Sequence, residues 1–428
     1  MSAAKGVRRP AGREENQLTE EFESVVCAAL LHDIGKFHQR AASERESHWR
    51  VSAAFVEKFK NSFLNADLVK TLVGHHHEST QYTAESDRPS SIPDSRVRML
   101  AYLVSRADSL SSTERSESDR SRGYQLRAAL DCVFAQVNIG CSLPGDNSKY
   151  PLGILSQRPA FPEQLDADFE HPESDYEQHM DRFVDEFGRL FPQPYSGMAD
   201  TLTYLLQKYL WCIPSDTQTR PRDISLADHS KVTGALAACF YRYHEENGWI
   251  EESVCDDKTS KVCLVCGDLS GIQNYIYGTA SVGHGGVAKR LRGRSFKVTL
   301  LTDVIALRIL RHLSLPVCCK IMSAGGQFYL LIPNTKKAKS ELNEVIRSIS
   351  GWMLNKYLGE LSISIACEDL EPDQLKQGRF DEVLSEVRAK LAEAKLRKFE
   401  DAISAGRQVF DVEFRGRPAC PVCDRRPG

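Results

Sequence analysis

Ala29-Leu30-Leu31-His32-Asp33-Ile34-Gly35-Lys36-Phe37 is the stretch from which the architecture is read. Just before it, Phe22, Val25, Val26, Ala29 and Leu30 recur at helical spacing. An apolar helix therefore ends by presenting an imidazole and a carboxylate, His32 and Asp33, to one point. Helical patterns continue through residues 51–63, 66–73 and 97–110. Residues 1–120 are accordingly expected to form an all-α domain.

The same helices carry further ligand-type side chains: His48, the run His75-His76-His77, and Asp108 within Arg106-Ala107-Asp108-Ser109-Leu110-Ser111. Imidazoles and carboxylates with open positions suit Mn, Ni, Fe or Co ions that activate water on a phosphodiester. A lone His-Asp pair reads as chance, and a lone histidine run as a solvated turn. Several such groups, each on its own helix, read as a site that a bundle can assemble. Lys36, one turn beyond the pair, suits a phosphate or plain solvent.

A Pro-rich stretch without pattern, 139–174, reads as a connector, and 175–250 is helical again. From Lys261 the texture changes. A short apolar run at 262–265 precedes Gly267-Asp268-Leu269-Ser270-Gly271, and 296–313 is a helix pattern. Apolar runs at 317–322 and 328–332 flank Ser323-Ala324-Gly325-Gly326-Gln327, a hairpin signal. A helix at 336–358 and a strand at 361–367 complete a βαββαβ order, that of a ferredoxin-like α+β sandwich. A charged amphipathic helix covers 380–404.

The bulk numbers agree with a multidomain chain. At 428 residues it is too long for one core. Hydrophobic content of 41% and charged content of 26% are those of an ordinary soluble protein, and no run of 18 apolar residues is present. Residues 1–13 are small and basic without an apolar stretch after them, neither signal peptide nor anchor. The thirteen cysteines fit reduced thiols in the cytoplasm. A net charge of −3 means that a nucleic-acid partner needs a local basic patch.

With these residues in view, the segment 29–37 resembles the HD-superfamily phosphohydrolase signature. Gln39-Arg40-Ala41, His48 and Ala107-Asp108-Ser109-Leu110-Ser111-Ser112-Thr113-Glu114-Arg115 resemble the permuted HD domain of the large signature subunit of type III-A CRISPR–Cas Csm effector complexes. Val265-Cys266-Gly267-Asp268-Leu269-Ser270-Gly271-Ile272-Gln273-Asn274-Tyr275-Ile276-Tyr277 resembles that family's first palm motif. Leu291-Arg292-Gly293-Arg294-Ser295-Phe296, Met322-Ser323-Ala324-Gly325-Gly326-Gln327-Phe328-Tyr329-Leu330 and Asp223-Ile224-Ser225-Leu226-Ala227-Asp228-His229-Ser230-Lys231 continue the match.

The resemblance implies the N-terminal part of that subunit. It implies an HD nuclease domain (1–120), a connector and helical linker region (121–255), a first palm domain (256–410) and the start of a zinc-knuckle module (411–428). It implies metal-dependent cleavage of single-stranded DNA in antiviral defence. His32 and Asp33 are the catalytic pair, and His32, Asp33, His75, His76 and Asp108 the ligands of a divalent transition metal (Mn, Ni or Co). His75 is the best match to the third histidine because Leu72 lies three residues before it. His76 is close behind, and the choice within the triple stays open. Ser270, Gly325 and Gly326 are the candidates for ATP contact at the palm, with a tight turn as the plainer reading of the glycines. Lys289, Arg290, Arg292, Arg294 and Lys297 form a basic cluster for phosphates of ATP, guide RNA or target RNA, or a solvated helix start. Asp228 and His229 are catalytic candidates in isolation, with a helix-capping and core role as the favoured reading.

The hairpin Gly325-Gly326-Gln327-Phe328 lacks the carboxylates of the family's GGDD motif, which is expected in a second palm beyond residue 428. This palm then resembles the ATP-cradling partner half, and cyclic oligoadenylate synthesis is expected only with the second. Cys263 and Cys266 lie at odd spacing on a strand, which points them to opposite faces. Cys420 and Cys423 have knuckle form but lack two further ligands, so zinc is not expected. Implied partners are other Csm subunits, guide and target RNA and the DNA substrate, without a membrane and in the cytoplasm. Two other readings compete: an idle scaffold that docks guide RNA and neighbouring subunits, and a free HD nucleotide phosphohydrolase with a sensor domain. The palm motifs oppose the last.

Overall fold

The structure, a computed structural model, describes residues 20–43, 45–113, 125–137, 147–157, 160–192, 197–256, 258–278, 286–376 and 378–406, with Gly416 and Pro418. Cys420 and Cys423 lie outside the described residues.

The first half is a helical bundle: α1 (Glu20–Leu31), α2 (Ile34–Ala42), α3 (His48–Lys58), α4 (Ala66–Gly74) and α5 (Ser95–Ser111). Helix α1 is buried from Phe22 to Leu31. A helix apolar all round belongs at the centre of a bundle, and here it packs against α4, α5 and two later helices. Gly35 sets how close α2 and α3 come. A Cβ there would lie 2.0 Å from the His48 carbonyl oxygen, and the Gly35 amide donates to Ser52 Oγ (2.8 Å).

The expected connector contains more order than its sequence suggests. Strands β1 (Leu130–Asp131), β2 (Ser148–Tyr150) and β3 (Glu163–Gln164) form a small antiparallel sheet. Strands of two or three residues carry no readable period, so the sequence gives no sign of them. Buried Arg40 of α2 ties this region to the bundle by donating to the carbonyls of Leu126 (3.0 Å) and Pro214 (2.7 Å).

Helices α6 (Glu173–Phe187), α7 (Gly197–Leu210), α8 (Leu226–Asn247) and α9 (Glu251–Cys255) follow. Ser225 caps α8 by accepting from the Asp228 amide (3.0 Å). Helix α8 packs on α1 and α5 and also on the second sheet, so it belongs to both halves of the molecule.

That sheet comprises β4 (Val262–Ser270), β5 (Lys320–Ala324), β6 (Gln327–Pro333) and β7 (Ser362–Leu370), antiparallel in the order β5-β6-β4-β7. Short α10 (Ile272–Tyr277) follows β4, α11 (Val287–His312) joins β4 to β5, and α12 (Lys336–Tyr357) joins β6 to β7. Helices α13 (Phe380–Leu396) and α14 (Glu400–Ser404) come last; the single helix expected over 380–404 is therefore two. Alternate β4 residues point to opposite faces of the sheet, and β4 packs against α8, α11 and α13. Cys263 reaches Asp369, the partner of Lys339 on α12, whereas Asp268 pairs with Lys395 on α13. Cover on both faces explains why β4 reads as a continuous apolar run.

Candidate metal centre

His32 and Asp33 occupy the tight turn between α1 and α2. The His32 Nδ1–H donates to the Ala29 carbonyl (2.7 Å), which turns Nε2 inward. Four atoms gather there: His32 Nε2, Asp33 Oδ2, Asp108 Oδ1 from α5 and His229 Nε2 from α8. His32 Nε2 lies 3.4 Å from Asp33 Oδ2, 3.3 Å from Asp108 Oδ1 and 3.2 Å from His229 Nε2. His229 Nε2 lies 3.4 Å from Asp33 Oδ2 and 3.1 Å from Asp108 Oδ1. Four ligands about 2 Å from one tetrahedral cation stand about 3.3 Å apart. The donor set and its spacing fit a metal ion.

A second group adjoins the first. His48 Nε2 lies 3.2 Å from Asp33 Oδ1 and 2.8 Å from His77 Nε2. The His76 Nδ1–H donates to the Val73 carbonyl (2.7 Å), and its Nε2 is buried without a hydrogen-bond partner. His48, His76 and His77 form one ligand-spaced set, and His32, His76 and Asp108 another. The orphaned His76 nitrogen is the kind of buried acceptor that a cation satisfies. Asp33 directs one oxygen to each group.

The charges match. Burial alone would suppress a proton on His32, but Asp33 and Asp108 outweigh it and push its pKa to about 10. Against the opposing effect of burial, Lys36 and His32 hold Asp33 far below the usual carboxylate range. His32 and His229 do the same for Asp108. Burial pulls His48 down to about 3 and lowers His76 and His77 too. Metal-free, the cleft holds two carboxylates, a protonated His32 and three neutral imidazoles. A bound metal would take the place of the His32 proton.

Outer contacts fix the ligands. The Ser111 hydroxyl donates to the Asp108 carbonyl (2.9 Å), so it accepts from His229 Nδ1–H (3.2 Å) and leaves His229 Nε2 for the cluster. Lys36 Nζ lies 2.6 Å from Asp33 Oδ2, so it is ion-paired while still partly exposed.

Two sequence readings need correction. His75 is turned away: its Nδ1–H donates to the Thr71 carbonyl (2.8 Å), and it belongs to no ligand-spaced set among the described residues. Helix α4 stops at Gly74, so helical spacing does not govern the triple. His229 is a member of the site rather than a core residue. The signal was available in α8, where a fully buried histidine among small residues needs a polar partner.

A family model described as HD domain matches residues 7–113, and one described as Csm1 subunit domain B matches 261–412. The Methanocaldococcus jannaschii CRISPR system single-strand-specific deoxyribonuclease Cas10/Csm1 (subtype III-A) is 30% identical over 459 residues, covering 94% of this chain and 53% of the relative. Its Enterococcus italicus counterpart is 27% identical, with 94% and 56% covered. The crystal structure of a Csm1–Csm4 cassette in complex with pppApApA matches with a TM-score of 0.69 and 26% identity, over 89% of this chain and 50% of that one. Csm1 of T. onnurineus matches with a TM-score of 0.68 and 26% identity, over 88% and 49%. The chain belongs to the Cas10/Csm1 family. It spans about half the length of the curated relatives it matches.

The other predicted site of this Cas10/Csm1 chain lies at the end of β4. Ser270, Gly325 and Gly326 are brought together there, because the Leu269 amide donates to the Gly326 carbonyl (2.9 Å). The hairpin needs glycine: Gly325 and Gly326 have φ of 62° and 93°. Asp268 does not stand open, since Lys395 Nζ lies 2.7 Å from its carboxylate. In the basic cluster, Lys289 and Arg292 are exposed and Arg290 is half-buried. Arg294 donates to the Tyr275 carbonyl and lies over its ring, so it is partly committed to structure. Lys297 Nζ lies 5.2 Å from the Tyr357 ring centre. Among the described residues no helix is long and apolar enough to cross a membrane.

Proposed function

We propose that this chain carries a metal-dependent HD nuclease for single-stranded DNA within type III-A CRISPR defence. The observation that carries the reading is the gathering of Asp33, Asp108 and His229 within 3.4 Å of His32 Nε2, beside the orphaned Nε2 of His76. A bound Mn, Ni or Co ion would supply a Lewis acid and an activated water. The chain's own residues do the rest. Asp33 and Asp108 supply negative charge, and His32, His76, His48, His77 and His229 supply nitrogens. Asp33 offers an oxygen to each of two adjacent seats. Lys36 beside Asp33 places a cation where a phosphate would approach. The curated relatives are named single-strand-specific deoxyribonucleases, which favours that substrate.

The second half reads as a ferredoxin-like palm, supported by its βαββαβ order and the strand order β5-β6-β4-β7. It fits an ATP-cradling half rather than a catalytic one, because Gln327 and Phe328 bring no carboxylate to the hairpin. Neighbouring partners would be other Csm subunits, with guide and target RNA; the structural relative is a Csm1–Csm4 cassette, which favours such company.

The deciding experiment measures metal content and single-stranded DNA cleavage for wild type and for His32→Ala/Asp33→Ala. Wild type should retain metal and cleave, and the variant should do neither while keeping its helical circular dichroism. Equal cleavage by both would remove the site from the reaction and favour the scaffold reading.

A further inference from the structure

We infer that Trp49 is a stacking platform for a nucleobase of the single strand held at the metal cleft. The inference deepens the nuclease reading and rests on it. Trp49 follows His48 at the start of α3. Its ring centre lies 5.1 Å from those of both His48 and His77, edge-on to each.

The cleft opens on this side. His32, Asp33, His76 and His229 are almost fully buried. Asp108, His48 and Lys36 have exposures of 14%, 18% and 24%. His77 is half-buried as well. The solvent-facing rim is therefore made by His48, His77, Lys36 and Asp108, and Trp49 sits on the His48–His77 part of it. A phosphodiester reaching the cluster must bring its adjoining nucleoside past that rim.

The indole is built to stay there. Its Nε1–H donates to Asp87 Oδ2 (2.9 Å). Arg50 grips the same carboxylate from Nε (2.7 Å) and NH2 (3.1 Å). This clamp holds the Asp87 pKa near 2, so the anchor is ionised at any working pH. With its only hydrogen-bond donor engaged by Asp87, the half-buried ring has nothing polar left to offer solvent. What remains outward is rigid aromatic surface beside the ligands. Nucleobases of a single strand can stack on such a surface, whereas those of a duplex are already stacked on one another. The contact is indifferent to base identity, as a sequence-tolerant nuclease requires.

The test compares wild type, Trp49→Phe and Trp49→Leu on an oligothymidylate and on the same oligomer with abasic positions. Four quantities are read: metal content, KM for cleavage, kcat for cleavage, and quenching of indole fluorescence by the oligomer. For Trp49→Leu, KM on oligothymidylate should rise about tenfold, with a smaller change in kcat. Trp49→Phe should recover most of the difference. The abasic oligomer should show little dependence on residue 49. Metal content should be equal in all three. Quenching by oligothymidylate should weaken in Trp49→Phe, which keeps Trp211, Trp249 and Trp352. Loss of metal in Trp49→Leu, or an equal KM increase on the abasic oligomer, would overturn the inference by showing that Trp49 only props His48 and His77. Quenching without cleavage by wild type would sink the nuclease reading and leave the stacking intact. Cleavage with an unchanged KM in Trp49→Leu would do the reverse.

Discussion

Asp33 and Asp268 are both aspartates at the edge of a regular element, and the chain treats them in opposite ways. Asp33 sits in a cleft with histidines on three sides, and one of its oxygens has no hydrogen-bond partner. Asp268 lies across from Gln327 and is closed off by Lys395 at 2.7 Å. A carboxylate becomes a cation site when its surroundings supply lone pairs and withhold protons. A lysine alone does not decide this, since Lys36 Nζ lies 2.6 Å from Asp33 Oδ2; Asp268 is a strut because, among the described residues, it belongs to no ligand-spaced set. The difference lies in which element packs over the carboxylate, α8 with its histidine or α13 with its lysine.

That contrast can be pressed at three points. His229→Ala removes the ligand that arrives from α8, and metal affinity should fall by about a hundredfold or more. A titration of apoprotein with Mn or Ni followed calorimetrically reads this. An unchanged affinity would return His229 to the core.

Acid should weaken the metal-free bundle more than the sheet. An unfolded imidazole takes its proton near 6.5, whereas His48 in the cleft does so only at about 3 and His76 is also depressed. Between those values the unfolded chain binds more protons, so stability falls as pH is lowered from 6.5 toward 3. His32 acts in the opposite sense. Its folded value of about 10 gives stability that is fully present below 6.5 and is lost only as pH rises through 10. Asp33 and Asp108 stabilise above the ordinary carboxylate range and begin to fade only below it. The expected loss from about pH 7 to about pH 4.5, measured by urea unfolding in chelator, is of the order of a few kcal/mol. Added metal at neutral pH should not show it.

The smallest effect is expected at Asp268. Lys395→Met removes a pair whose lysine is 36% exposed, worth no more than about 1 kcal/mol. The freed carboxylate should still bind no cation, because the hairpin brings no second one. With ATP and Mg or Mn, neither wild type nor this variant should yield oligoadenylates by mass spectrometry. Product from either chain alone would break the contrast.

Local signals made much of the metal cleft legible. The helix ending in His32-Asp33 and the aspartate on α5 are local patterns, and the structure brings Asp108 to 3.3 Å from His32. The βαββαβ order followed from runs whose period changes from helical to extended. His229 was misjudged because its place in the site depends on a contact between residues 197 positions apart in the chain. Helical periodicity says which face of α8 is buried and nothing about what lies opposite. His75, His76 and His77 were ambiguous because α4 ends at Gly74, and the loop geometry that turns His76 inward has no period.

Helix α8 has one further consequence, for how such a molecule can be taken apart. Its first turn delivers His229 to the proposed metal cleft, and its body packs against β4 and β6. On the proposed reading, the stretch that matches the HD model, residues 7–113, would by itself lack one member of the ligand set. Recombination that transplanted those residues alone would leave the cleft one nitrogen short. The catalytic unit that can be inherited is longer than the module that can be recognised, and the tie between the two halves is a shared helix rather than a linker.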